Sequence, residues 1–144
     1  MNRATKWVDV NSYSPYEGGL EITVKNATSL FIRLPDWVVK GEVAVTVDGA
    51  TRPFDWHGEY VHLDDLFWGQ EVTLTYPLRS MTEAIYLIPE NGSPMDSNRY
   101  ILTWKGDTVV SISPKGQYYP LYQRDYFLGD VTPMVNYNYT MTGN

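Results

Sequence analysis

The side chains that could do chemistry in this sequence are few, and their spacing limits what they can do. His57 and His62 stand five residues apart across Gly58, with Asp55, Asp64 and Asp65 close by. A zinc centre needs three or four ligands in fixed geometry. Two histidines beside a turn read instead as surface residues, so no metal is expected. There is no cysteine, which removes thiol catalysis, Cys-based zinc sites and disulfides together. Glycosidases set two carboxylates across a scissile bond, but Asp64 and Asp65 are adjacent and would point to opposite faces of a strand. No Gly-x-Ser-x-Gly elbow and no phosphate-cradling glycine loop occurs. The sequence therefore predicts no catalytic residues, no cofactor and no enzyme activity in this chain.

Aromatic residues are the richer signal. The 144 residues include 12 Tyr and 5 Trp. Such rings stack on sugars, fill cores or bury interfaces. Trp68 and Trp104 precede alternating segments and read as core or interface rings. Trp56, in Phe54-Asp55-Trp56-His57-Gly58, reads as a loop-tip ring. Together with Tyr118, Tyr119 and Tyr122 it forms the candidate carbohydrate-binding set.

The elements that must position these rings alternate with a period of two, the mark of half-buried strands. Leu20–Val24, Ser29–Leu34, Val43–Val47, Tyr60–Leu63, Glu71–Tyr76, Ala84–Ile88, Arg99–Trp104 and Thr108–Ser113 all read this way, and a last extended piece runs from Gln117 to Tyr126. Asp48-Gly49 and Lys105-Gly106-Asp107 read as tight turns. No window sustains a helical stripe. The expected fold is all-β: an antiparallel two-sheet β-sandwich, jelly-roll-like, with little or no helix. Its predicted core is Leu20, Ile22, Val24, Ile32, Leu34, Val45, Val72 and Leu74. The chain fits one domain over 1–144, with a loop-rich subdomain or sheet boundary near 88–98. Trp68-Gly69-Gln70-Glu71 and Trp104-Lys105-Gly106-Asp107 open two similar strand entries.

Charge narrows the partners. The net charge is −6, opposite to what a phosphate backbone or an anionic membrane surface attracts. No nucleic acid and no membrane is expected. The first residues lack the apolar stretch of a signal peptide, and the polar tail from Gly129 reads either as a frayed end or as a place where a parent chain continues.

Four motifs, in order, resemble one known family. Tyr13-Ser14-Pro15-Tyr16-Glu17-Gly18 looks like its Tyr-Pro-aromatic-x-Gly entry. Leu30-Phe31-Ile32-Arg33-Leu34-Pro35-Asp36-Trp37 looks like its Leu-x-Leu-Arg-Ile-Pro-x-Trp signature. Val45-Thr46-Val47-Asp48-Gly49 looks like its Val-Asn-Gly hairpin. Tyr60-Val61-His62-Leu63, followed by Trp68-Gly69-Gln70-Glu71-Val72-Thr73-Leu74, looks like its closing pair of strands, with Gln70 where the family has Asp. The stretch from Tyr13 to Pro77 thus resembles the β-sandwich domain that follows the catalytic barrel in the β-L-arabinofuranosidase family of glycoside hydrolases. That family's Cys nucleophile and zinc-binding Cys and Glu residues lie in the barrel, so none carries over to this chain. The resemblance implies a non-catalytic accessory domain whose partner is the catalytic barrel of its parent chain. The alternative reading is a carbohydrate-binding module with a glycan as partner. If the barrel once covered Tyr13, Pro15, Tyr16 and Trp37, these should form an exposed apolar interdomain patch, and self-association through it is expected.

Overall fold

The structure is a computed structural model that describes residues 3–88, 92, 98–115 and 125–129. Twelve strands run in chain order: β1 Arg3–Ala4, β2 Val8–Ser12, β3 Gly19–Val24, β4 Leu30–Arg33, β5 Ala44–Val47, β6 Ala50–Thr51, β7 Asp55–His57, β8 Tyr60–Leu63, β9 Glu71–Thr75, β10 Ser80–Leu87, β11 Asn98–Lys105 and β12 Thr108–Ser113. Single 3₁₀ turns cover Lys40–Glu42 and Asp125–Leu128. Among the described residues no helix is long and apolar enough to cross a membrane.

All pairings are antiparallel. A six-stranded sheet has the order β1-β2-β3-β9-β5-β6, and a three-stranded sheet has the order β4-β8-β7. Their facing sides make the core. Ile22, Val24, Val45, Val47, Val72 and Leu74 come from the larger sheet, and Ile32, Val61 and Leu63 from the smaller, all buried in one cluster. Register produces this: Ile22 pairs with Val72 and Val47 with Val72, so one row of side chains crosses three strands on the same face. Leu34, Val38 and Leu66 close the cluster from the connections. Leu20, predicted as core, is partly buried and packs at the margin. Asp48-Gly49 forms the predicted tight turn, with φ of 52° and 79°, the left-handed pair that a two-residue hairpin turn requires. Asp48 also ties this turn to β9: its carboxylate accepts the Glu71 N–H at 2.9 Å.

Two features differ from the two-sheet expectation. β10, β11 and β12 form a third sheet of their own. β10 and β11 pair from Leu87↔Asn98 onward, and most of the 88–98 stretch, read from the sequence as a subdomain or sheet boundary, lies outside the described residues. The passage out of the sandwich falls at Pro77–Arg79. The third sheet is also packed differently. Met81↔Trp104 and Glu83↔Leu102 share one face, with Ile85↔Tyr100 continuing it, yet none of these six residues is buried. The predicted extended piece at 117–126 lies mostly outside the described residues, and where description resumes, Asp125–Leu128 is a 3₁₀ turn.

Burial sets the energetics. Leu74 is fully buried between β3 and β5. Leu74→Ala is expected to cost about 2–5 kcal/mol through lost transfer energy and a cavity. Thr82→Ala, on exposed β10, should stay within about 0.5 kcal/mol. Urea-denaturation midpoints at constant slope check both.

Candidate functional site

Three groups of side chains stand out once the fold is known. The first lies at one end of the six-stranded sheet. The connection from β8 to β9 is pinned by its own backbone: Leu66 N–H donates to Thr28 at 3.0 Å, Phe67 N–H to the Gln70 side-chain oxygen at 2.9 Å, and Gly69 N–H to Val24 at 2.8 Å. Leu66 is driven into the core at 1% exposure, while its neighbours Phe67 and Trp68 stand 68% and 81% exposed. On the other flank of β3, Lys25 and Asn26 N–H groups donate to the Trp7 carbonyl at 2.9 and 3.1 Å. Trp7 is 52% exposed, with the Lys6 ammonium 4.7 Å from its ring centre. The turns carrying Trp7 and Trp68 therefore flank the same end of β3, about 10 Å apart as two strand spacings. Beside Phe67 lies an open hollow of about 420 Å³ lined by Thr28, Ser29, Asp64, Asp65 and Leu66. Burying a large apolar side chain is worth about 1.5–3 kcal/mol, and these rings forgo most of that gain in the isolated chain.

The second group is the seam between the sandwich and the third sheet. Trp37, just after β4, donates its indole N–H to the Asp107 carboxylate at 2.5 Å and sets its ring edge on Tyr76, 5.9 Å between centres. Gly106 N–H donates to the Arg79 carbonyl at 2.7 Å. Gly106 has a φ of 55°, and a Cβ there would meet Leu78 and Trp37 at 3.0 Å. Next to this contact is a cleft of about 500 Å³ lined by Trp37, Arg79, Ser80, Met81, Trp104 and Asp107. The Trp104 indole nitrogen is buried and has no acceptor among the described residues.

The third group covers the outer face of the smaller sheet. Phe31 stacks on His62 at 4.1 Å, and His57 meets both rings edge-on. Ser29 Oγ lies 3.1 Å and Asp64 Oδ1 3.2 Å from His62, but both approach the same nitrogen, Nε2. A nucleophilic triad puts the acid and the serine on opposite ring nitrogens, so that one orients while the other takes the proton. This arrangement cannot perform that relay. Among the described residues no group of His, Asp or Glu is set to hold a metal ion.

Some residues singled out from sequence stand in other settings than expected. Trp56 is on β7, not at a loop tip. It pairs with Val61, faces inward and is half-buried against the core, with Phe54 edge-on at 5.8 Å. Tyr118, Tyr119 and Tyr122 lie outside the described residues. The residues of the expected interdomain patch, Tyr13, Pro15, Tyr16 and Trp37, are more covered than that expectation drew them. Pro15 is buried and the other three are half-buried. Tyr13 donates its hydroxyl to Glu21, Tyr16 packs on Phe127 at 5.6 Å, and Trp37 is held by Asp107. Trp68, read as a core or interface ring, is the most exposed large apolar side chain among the described residues. Trp7 carried no motif; its one signal was a tryptophan between a lysine and an alternating Val8-Asp9-Val10 run.

Among solved structures the chain is similar to a glycoside hydrolase, with 21% identity and a TM-score of 0.47 over 71% of this chain and 17% of that one. It is also similar to a β-L-arabinofuranosidase from Geobacillus stearothermophilus, with 17% identity and a TM-score of 0.45 over 76% of this chain and 18% of that one. The chain thus spans less than a fifth of either neighbour's length. No protein-family description matches it, and no curated protein does.

Two measurements probe these contacts. Gly106→Ala should destabilise the chain by more than about 1 kcal/mol, since the new methyl meets both a left-handed φ and the Trp37 ring. Hydrogen exchange should then rise first in β11 and β12. The second measurement is alkaline. The hydrogen bond to Glu21, assisted by burial and by the Glu21 charge, holds the Tyr13 phenol up at about 12. Tyr76 is raised as well, chiefly by burial and then by Asp107. The folded state thus binds these protons more tightly than the unfolded state, whose phenols titrate near 10. Their contribution is complete below pH 10 and is lost at higher pH, for Tyr13 as pH rises toward 12. Tyr13→Phe should flatten that alkaline loss in denaturation midpoints taken on either side of pH 10.

Proposed function

We propose that this chain is a non-catalytic accessory domain of a larger glycoside hydrolase, docking onto a helical catalytic barrel of its parent chain. The observation that carries the reading is the pair Phe67 and Trp68, 68% and 81% exposed on a connection whose backbone is hydrogen-bonded in place. A mobile loop would have to be ordered on contact, at about 1–2 kcal/mol of backbone entropy per residue. A pinned one has met that cost in folding, and rigid aromatic anchors are what interface centres use. Trp7, on the other flank of β3, widens the apolar end. The motif containing Trp68 is one of the four that resemble the sandwich domain of the β-L-arabinofuranosidase family. The docking end is therefore distinct from the entry motif at Tyr13–Tyr16, whose rings have partners inside the chain.

The reading makes two demands. The isolated chain should hydrolyse neither aryl-arabinosides nor other aryl-glycosides; turnover abolished by a single carboxylate substitution would overturn it. Co-expressed with the upstream part of its parent chain, it should co-purify with a helical barrel. Trp68→Ser combined with Phe67→Ser should abolish co-purification while leaving the melting temperature of the isolated chain unchanged. The same double variant should remove the concentration-dependent self-association that an uncovered apolar end predicts in sedimentation experiments.

A further inference from the structure

The cleft at the seam has the composition of a ligand site, and docking through Trp7, Phe67 and Trp68 does not use it. Its volume of about 500 Å³ lies in the range of small-molecule pockets, which are mostly apolar with a few convergent polar groups. The apolar part is two indoles and a thioether. Met81 and Trp104 are directly opposed in register, so their side chains share one face of the third sheet, and Trp37 approaches from the sandwich side. Met81 is 58% exposed, leaving the cleft open to solvent. The polar residues that line it on this side are Arg79 and Asp107. Asp107 also lines an adjoining hollow of about 360 Å³ with Arg33, Pro35 and Asp36. Asp107 is the residue common to the linings of both hollows.

This mixture selects a ligand class. A phosphate or sulfate would meet the carboxylates of Asp107 and Asp36 on a chain of net charge −6, and like-charge approach excludes it. A fatty chain would desolvate Arg79 without a new partner and strip water from the Asp107 carboxylate, at about 1–3 kcal/mol for each group. A neutral sugar ring satisfies both halves. Its C–H face packs on an indole, and its hydroxyls, donor and acceptor at once, pair with Asp107 and Arg79 together. We infer that the cleft between Trp37, Met81 and Trp104 binds one neutral sugar residue of a glycan, with Arg79 and Asp107 gripping its hydroxyls.

The test is titration of the full chain, followed by tryptophan fluorescence and calorimetry, with neutral hexasaccharides of arabinose, xylose, glucose and galactose. A trigalacturonide and AMP serve as charged probes. Saturable binding of at least one neutral hexasaccharide is expected, and weaker or no binding of both charged probes. Arg79→Ala, an exposed position, should weaken binding by at least about tenfold, the equivalent of one charge-assisted hydrogen bond. Met81→Trp, which fills the cleft, should abolish it. Trp68→Ser should leave it unchanged, so a failed sugar site and a failed docking end give separate results. Circular dichroism melting reports whether each variant is folded. If Met81→Trp unfolds, Arg79→Ala alone decides. No saturable binding by any neutral probe, preference for the uronide or AMP, or binding untouched by Arg79→Ala would each overturn the assignment.

Discussion

The dry contact between the faces of two sheets is the constraint on which the rest of this molecule depends. Side chains alternate across a strand, so each strand gives one row inward and one outward. Val24, Val72, Leu74 and Val45 meet Ile32, Val61 and Leu63 with almost no exposure. A one-residue slip in any of these strands would send its whole apolar row to solvent. Asp48 guards β9 and β5 against such a slip by accepting the Glu71 N–H while its own N–H donates to the Glu71 carbonyl.

Once that core is closed, function has to be carried by its margins. A sandwich seals its interior with its own side chains and leaves the ends, the outer faces and the appended third sheet to meet partners. At one end, Leu66 reaches into the core and Phe67 and Trp68 are thrown outward from the same pinned connection. The buried neighbour makes the exposed pair rigid. On the outer face of the smaller sheet, Phe31, His57 and His62 satisfy one another by stacking, and the shared His62 nitrogen keeps Ser29 and Asp64 from acting as a relay.

Among the described residues the third sheet meets the sandwich at Trp37. The Trp37–Asp107 hydrogen bond holds the β11–β12 turn against the segment after β4, while Tyr76 backs the Trp37 ring within the sandwich and the Gly106–Arg79 bond extends the β10–β11 pairing. The sheet faces of Met81, Ile85, Leu102 and Trp104 are not sealed as those of the sandwich are. A joint of this kind, firm at one point and open beside it, is where a cleft forms.

The alternation of single residues was enough to give the strands, the all-β class, the Asp48-Gly49 hairpin and most of the core, because burial on one face of a pleated strand leaves a period of two in the sequence. The same alternation could not tell which sheet a strand joins, since β10 and β11 read like sandwich strands and pair only with one another and β12. Nor could it fix the fate of individual rings. Trp68 and Trp104 sit in near-identical strand entries, yet one stands in solvent and the other hides its indole nitrogen. Trp56, in a Gly-terminated stretch, turned inward because β7 pairs with β8. Trp37 lost its exposed role to Asp107, 70 residues away in sequence. Whether a ring is core, seam or surface depends on what long-range pairing brings opposite it, and only the tertiary structure decides that.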